Sequence, residues 1–85
     1  MNTREIEEAK KEGDAILQEL EKYRELNGKF PESIDVVTVP TKNIKLGKWG
    51  LMIEGDNICV SVGSYIKDGI ILERCGSKNN WFVDG

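Results

Sequence analysis

The sequence predicts an α+β fold, in which one long N-terminal helix packs on a small antiparallel sheet of three to four strands. Apolar residues recur at spacings of three and four in the first third of the chain, and at spacings of two from residue 49 onward. A helix-stop signal, Asn27-Gly28 followed by Pro31, separates the two patterns. The 85 residues leave room for one core only. We therefore expect a single domain over residues 1–85, with the helix over about 3–27, an αβ loop over about 28–47 and an antiparallel meander over about 48–84.

The predicted helix has one apolar stripe and one charged face. The stripe consists of Ile6, Ala9, Gly13, Ile16, Leu20 and Tyr23, and it is widened by Leu17 and Leu26. On the opposite face, Glu7 and Lys11 have the i,i+4 spacing of a stabilising ion pair. Gly13 in mid-helix costs about 1 kcal/mol relative to alanine, which close packing of a neighbour would explain. We expect the stripe to lie on the sheet and the charged face to be solvated.

A β-hairpin is the most strongly specified part of the sheet. Gly55-Asp56 supplies a two-residue turn between two runs that carry apolar residues at every second position. This turn sets three apolar cross-strand pairs on the face that the helix needs: Ile53 with Ile58, Leu51 with Val60, and Trp49 with Val62. Cys59 then lies on the opposite face beside Met52. Turns at 67–69 and 76–80 lead to two further strands, over 70–75 and 81–83.

The segment between the helix and the hairpin has a mixed pattern. Pro31 followed by Glu32 and Ser33 suits a short helical turn, and residues 36–39 suit an extended connector that Pro40 closes. A basic loop then carries Lys42, Lys45 and Lys48. This loop is expected to be solvated, with a contact surface for a partner subunit as the alternative.

The composition argues against several function classes. Histidine is absent, so the commonest general base and metal ligand is missing. No nucleophile–base motif, no CxxC and no phosphate-binding glycine loop is present. A net charge of −3 gives no electrostatic case for nucleic acid. We therefore expect no catalytic residue, no enzyme activity and no nucleic-acid partner.

Loop carboxylates and aromatic side chains each leave an alternative open. Asp56, Asp68 and Asp84 lie at loop tips or at the end of the last strand. No compact run of carboxylates surrounds them, so we expect no cofactor and no metal, with a calcium ion at one of these aspartates as the alternative. The aromatic residues after position 48 are expected mainly in the core, with an exposed recognition patch as the alternative: Trp49, Tyr65, Trp81 and Phe82.

The helix exit reads Tyr-x4-Gly-x-Phe-Pro-x-Ser-Ile, formed by Tyr23, Gly28, Phe30, Pro31, Ser33 and Ile34. This pattern resembles the helix exit in the soluble domains of type IV pilin-like proteins, especially the pseudopilins of type II secretion. The C-terminal segment 81–85 is similar to the Trp-x-Tyr-Asp endings of these proteins. The resemblance implies a pilin-like head domain, a structural subunit that assembles with itself and with other pilin-like subunits into a filament.

The resemblance also implies features that the given sequence lacks. Family members carry an N-terminal hydrophobic helix half, which anchors them in the inner membrane and engages the inner-membrane assembly machinery. No run of about 20 apolar residues is present, and Glu5 lies in no hydrophobic segment, so it does not match the assembly glutamate of the family. We expect the native protein to be anchored in the inner membrane through a segment missing here, with the head in the periplasm or outside the cell.

Two cysteines, Cys59 and Cys75, suit one disulfide in an exported protein or two buried thiols in a cytosolic one. The resemblance favours the disulfide. The alternative function is a small cytosolic adaptor or inhibitor module, which binds a protein partner through its sheet face or its lysine loop.

Overall fold

The computed structural model of the protein describes residues 3–34, 37, 49–66 and 68–85. Its elements are helix α1 (Thr3–Asn27) and strands β1 (Gly50–Glu54), β2 (Asn57–Ser64), β3 (Ile70–Cys75) and β4 (Phe82–Asp84). The strands form one sheet in the order β1-β2-β3-β4, and each neighbouring pair is antiparallel. The predicted α+β class is confirmed, with four strands and one helix in the described part of the chain.

Helix α1 buries a narrow stripe against the sheet. Its buried residues are Ala9, Gly13, Ile16, Leu17 and Leu20. The four apolar side chains among them form one core with Ile58, Val60, Val62 and Leu72 of the sheet. The placement of Leu26 in the stripe was wrong, because its side chain is 76% exposed. At about 100° per residue, Leu26 lies on the opposite side of the helix from Leu17. On the charged face, Glu7 pairs with Lys10 at 3.5 Å.

The hairpin has the predicted register around a two-residue turn. Leu51 pairs with Val60 and Ile53 with Ile58. The prediction that the helix covers this whole face is wrong for Ile53, which is 39% exposed, because α1 packs mainly over β2 and covers the edge strand only in part. Trp49 precedes the ladder, which begins at Gly50, yet its side chain is buried.

The helix ends in the way that its sequence predicts. Gly28 has a φ of 79°, and its N–H donates to the Arg24 carbonyl at 2.7 Å, which is the αL capping geometry. The side-chain amide of Asn27 donates to the carbonyl of Tyr23 at 2.9 Å. The first of these bonds satisfies one of the four carbonyls that the end of the helix leaves without intrahelical partners.

The chain then turns under the helix. Phe30 and Pro31 are buried, Ser33 is exposed and Ile34 is half-buried. The Val37 N–H donates to the Ile34 carbonyl at 3.0 Å. The predicted extended connector lies almost entirely outside the described residues, and the lysine loop with Lys42, Lys45 and Lys48 lies wholly outside them.

The last strand begins one residue later than predicted, at Phe82. Trp81 precedes it because the indole turns toward the helix, where its Nε1 donates to Asp14 at 2.9 Å.

Candidate functional site

Two tryptophans enclose the glycine of the helix stripe. The rings of Trp49 and Trp81 meet edge to face, with their centroids 6.0 Å apart. A Cβ atom built on Gly13 would lie 2.5 Å from Cη2 of Trp81 and 2.6 Å from Cη2 of Trp49. Only glycine at this position therefore lets both indoles approach the helix backbone, which is the close packing that the sequence suggested.

A partly buried network of ionic and hydrogen-bonding side chains joins helix α1 to the β3–β4 turn. Asp14 Oδ1 accepts from Arg74 Nη1 and also from the Trp81 indole. Arg74 uses its remaining guanidinium groups on the turn, where Nε donates to the carbonyl of Asn79 and Nη2 to that of Ser77, each at 2.8 Å. The Arg74 side chain is 20% exposed. No local sequence signal predicts this network, because Asp14 and Arg74 are 60 positions apart.

A cleft opens between the C-terminal end of α1 and the β1–β2 and β3–β4 turns, with a volume of about 600 Å³. We call it the helix-end cleft. On one wall, Glu21 accepts from the Ser77 N–H and from the Ser77 hydroxyl, both at 3.0 Å. On the other, Arg24 donates to Asp56 Oδ1 at 2.9 Å and lies 5.0 Å from the centroid of the Phe30 ring.

The lining of the helix-end cleft combines an apolar floor with a charged rim. Phe30 and Ile58 belong to the core and also border the cleft, while Glu25 and Lys78 stand at its edge. Such a lining suits a short peptide segment with an apolar side chain between polar neighbours. The sequence did not predict the cleft, since its walls come from one helix end and two distant turns.

Two described groups have a shifted pKa, and neither lines the cleft. Burial raises the pKa of Glu12 above its usual value, against the opposing effect of a hydrogen bond from Trp49 Nε1. The pKa of Tyr65 is raised above its usual value, first by its hydrogen bond to the Asp84 carboxylate. Because these groups belong to separate contacts, the described residues bring no shifted acid and base together.

The three loop aspartates do not converge. Asp56 pairs with Arg24 and Asp84 accepts from the Tyr65 hydroxyl. Asp68 lies in the β2–β3 turn, at the other end of β2 from Asp56. Among the described residues, no three histidine, cysteine, aspartate or glutamate side chains are grouped so that they could hold a metal ion.

The cysteines lie opposite each other on neighbouring strands. Cys59 of β2 pairs directly with Cys75 of β3, and their sulfur atoms are joined in a disulfide. The bond lies on the outer face of the sheet, away from the helix, in one row with Met52. The structure thus corresponds to the disulfide alternative rather than to two buried thiols.

The aromatic residues divide between core and surface. Trp49 is buried and Trp81 half-buried, as expected for core residues. Tyr65 and Phe82 are 54% and 55% exposed, so the expectation of core packing does not extend to them. Phe82 pairs with Glu73 on the outer face, which no second layer of described residues covers.

No family model, no curated protein and no solved structure matches this chain. Within the described ranges, no helix combines the length and the apolar character that a bilayer span requires.

Proposed function

We propose that this chain is the head domain of a pilin-like or pseudopilin structural subunit, which belongs to a membrane-attached filament of a type IV pilus or a type II secretion system. The observation that carries the proposal is the way the helix meets the sheet. Helix α1 lies on a four-stranded antiparallel meander. It ends at Gly28, and Phe30 and Pro31 of the family-like exit motif are buried beneath it.

The length of the helix supports an assembly role. With 25 residues it extends about 37 Å at 1.5 Å per residue. Its buried residues run only from Ala9 to Leu20, which is about 16 Å of that length. The turns on either side of this stretch expose helix surface that the sheet does not cover, and a filament built by helix packing uses such surface.

The disulfide supports an exported head. Disulfides persist in the periplasm and outside the cell, whereas the cytosol keeps thiols reduced. A bond between Cys59 and Cys75 therefore agrees with the proposed location of the head outside the inner membrane.

A cytosolic adaptor or inhibitor module is the second candidate. The outer face of the sheet favours it, because Met52 and Phe82 are 52% and 55% exposed there and offer apolar contacts to a protein partner. Free thiols at Cys59 and Cys75 in the native protein would accompany this function.

Fractionation of the source cells separates the two candidates. An antibody raised against this 9.6 kDa domain would be used on membrane and soluble fractions, after thiols are blocked at lysis. We expect the antibody to detect a longer polypeptide in the membrane fraction, from which detergent releases it. Chemical cross-linking should give a ladder of its multimers, and the polypeptide should carry no reactive thiol. A soluble protein with two alkylated cysteines would contradict the proposal and favour the adaptor.

A further inference from the structure

An apolar tip stands on the β2–β3 turn. The side chain of Ile66 is 97% exposed, and Tyr65 beside it is 54% exposed. The N–H groups of Asp68 and Gly69, on the other side of the turn, both donate to the Ser64 carbonyl, at 2.8 and 3.0 Å. A large apolar side chain in so exposed a position is suited to binding, since docking removes its apolar surface from water.

The tip and the helix-end cleft lie at opposite ends of the molecule. Strand β2 begins at Asn57, which lines the cleft, and ends at Ser64, where the turn begins. At about 3.3 Å per residue, this strand separates the two features by about 23 Å. Because strand β2 lies between them, neither feature can reach the other within one copy.

We propose that the Tyr65–Ile66 tip of one copy docks in the helix-end cleft of the next copy. Ile66 would enter over the apolar floor formed by Phe30 and Ile58. Asp68, two positions after Ile66, brings an anion to the same turn. The cleft edge offers a complementary cation, Lys78. The apolar tip matches the apolar floor, and Asp68 matches Lys78; these two matches are the reason to assign a second copy as the occupant.

The contact is head-to-tail. When two copies associate, the tip of one copy and the cleft of the other therefore remain unoccupied. Heterologous contacts of this kind continue into open chains unless their rotation closes a ring. The biological role of the contact rests on the proposed filament function. A turn in a cleft buries less surface than a standard stable interface, so isolated copies associate weakly and the contact gains strength only when helix packing aligns many copies.

Two variants block the two halves of the contact separately. Ile66→Asp places a charge at the tip and leaves the cleft intact. Lys78→Trp fills the cleft from an exposed loop position and leaves the tip intact. Leu26→Asp is the matched control, since Leu26 is another exposed apolar side chain that lines neither feature. Loss of a buried isoleucine contact weakens association by about tenfold or more.

The test is the concentration dependence of backbone amide NMR shifts, from about 50 µM to about 1 mM protein. In the unmodified protein and in Leu26→Asp, we expect the signals of the β2–β3 turn and of the cleft to move together. Each blocking variant alone should show no such movement, while its remaining spectrum shows that it is folded. In a mixture, the cleft signals of labelled Ile66→Asp should shift when unlabelled Lys78→Trp is added. With the labels exchanged, the turn signals of labelled Lys78→Trp should shift when unlabelled Ile66→Asp is added.

A mixture without shifts, an unmodified protein without shifts up to the highest concentration, or shifts confined to Met52 and Phe82 on the outer face would each overturn the head-to-tail contact. None of these results would decide the filament function, which cell fractionation tests independently. A soluble native protein would instead refute that function and leave the measured contact in place.

Discussion

Replacement of Gly13 by alanine tests whether tertiary packing overrides helix propensity in this protein. Propensity alone predicts that alanine stabilises the middle of a helix by about 1 kcal/mol. The new methyl group would instead lie 2.5 and 2.6 Å from the two tryptophan rings, and overpacking of this kind costs about 1–3 kcal/mol. Trp49 is only 7% exposed, so its ring cannot move aside without opening the core. The gain in helix propensity offsets part of this cost, so we expect a net destabilisation of up to about 2 kcal/mol, which lowers the Tm by up to about 16 °C.

Chemical denaturation followed by tryptophan fluorescence suits this test, because the chain contains two tryptophans and both contact the site. Gln18→Ala, at an exposed position of the same helix, serves as the control and should change stability by only a few tenths of a kcal/mol. In a Trp81→Phe background the penalty of Gly13→Ala should shrink, because the phenyl ring is shorter than the indole. A Gly13→Ala variant that is more stable than the parent would refute the described packing of the indoles.

Three further predictions concern other parts of the fold. Replacement of Cys59 and Cys75 by alanine should cost about 3 kcal/mol, given the separation of 16 residues; the idea fails if dithiothreitol destabilises this variant as much as the parent. Gly28→Ala should cost about 1–2 kcal/mol, because φ is 79° with open space around the missing Cβ, and Gly28→Asn should cost less in the same urea titration. Glu12 has a raised pKa, so its ionisation opposes folding above pH 4.5. Glu12→Gln should therefore be more stable than the parent at pH 7, and the difference should disappear below pH 4.5. Thermal melting at a series of pH values measures this difference, and a difference that stays the same at all pH values would show that ionisation of Glu12 is not its cause.

Local signals account for the parts of the fold that the sequence predicted. The hairpin register follows from a two-residue turn at Gly55-Asp56 and from apolar residues at every second position, and both signals lie within 14 residues. The end of the helix follows from Asn27 and Gly28, whose backbone preferences act within one turn. Each of these features needs only contacts between near neighbours in the chain.

The features that the sequence did not predict depend on distant residues. Asp14 looks like any solvated helix carboxylate until the fold brings Arg74 and Trp81 to it. The exposure of Ile53 depends on where the helix crosses the sheet, which the alternating pattern does not specify. Leu26 is the exception, since counting 100° per residue from Leu17 would have excluded it from the stripe.

The proposed function makes this domain the head of a membrane-anchored filament subunit. The most direct measurement is the sequence of the native gene upstream of the codon for Met1. The proposal predicts a short basic leader, then a glycine at the junction and a run of about 20 apolar residues with a glutamate near its start. A stop codon and a ribosome-binding site immediately upstream of Met1 would contradict the claim and make the adaptor the leading function.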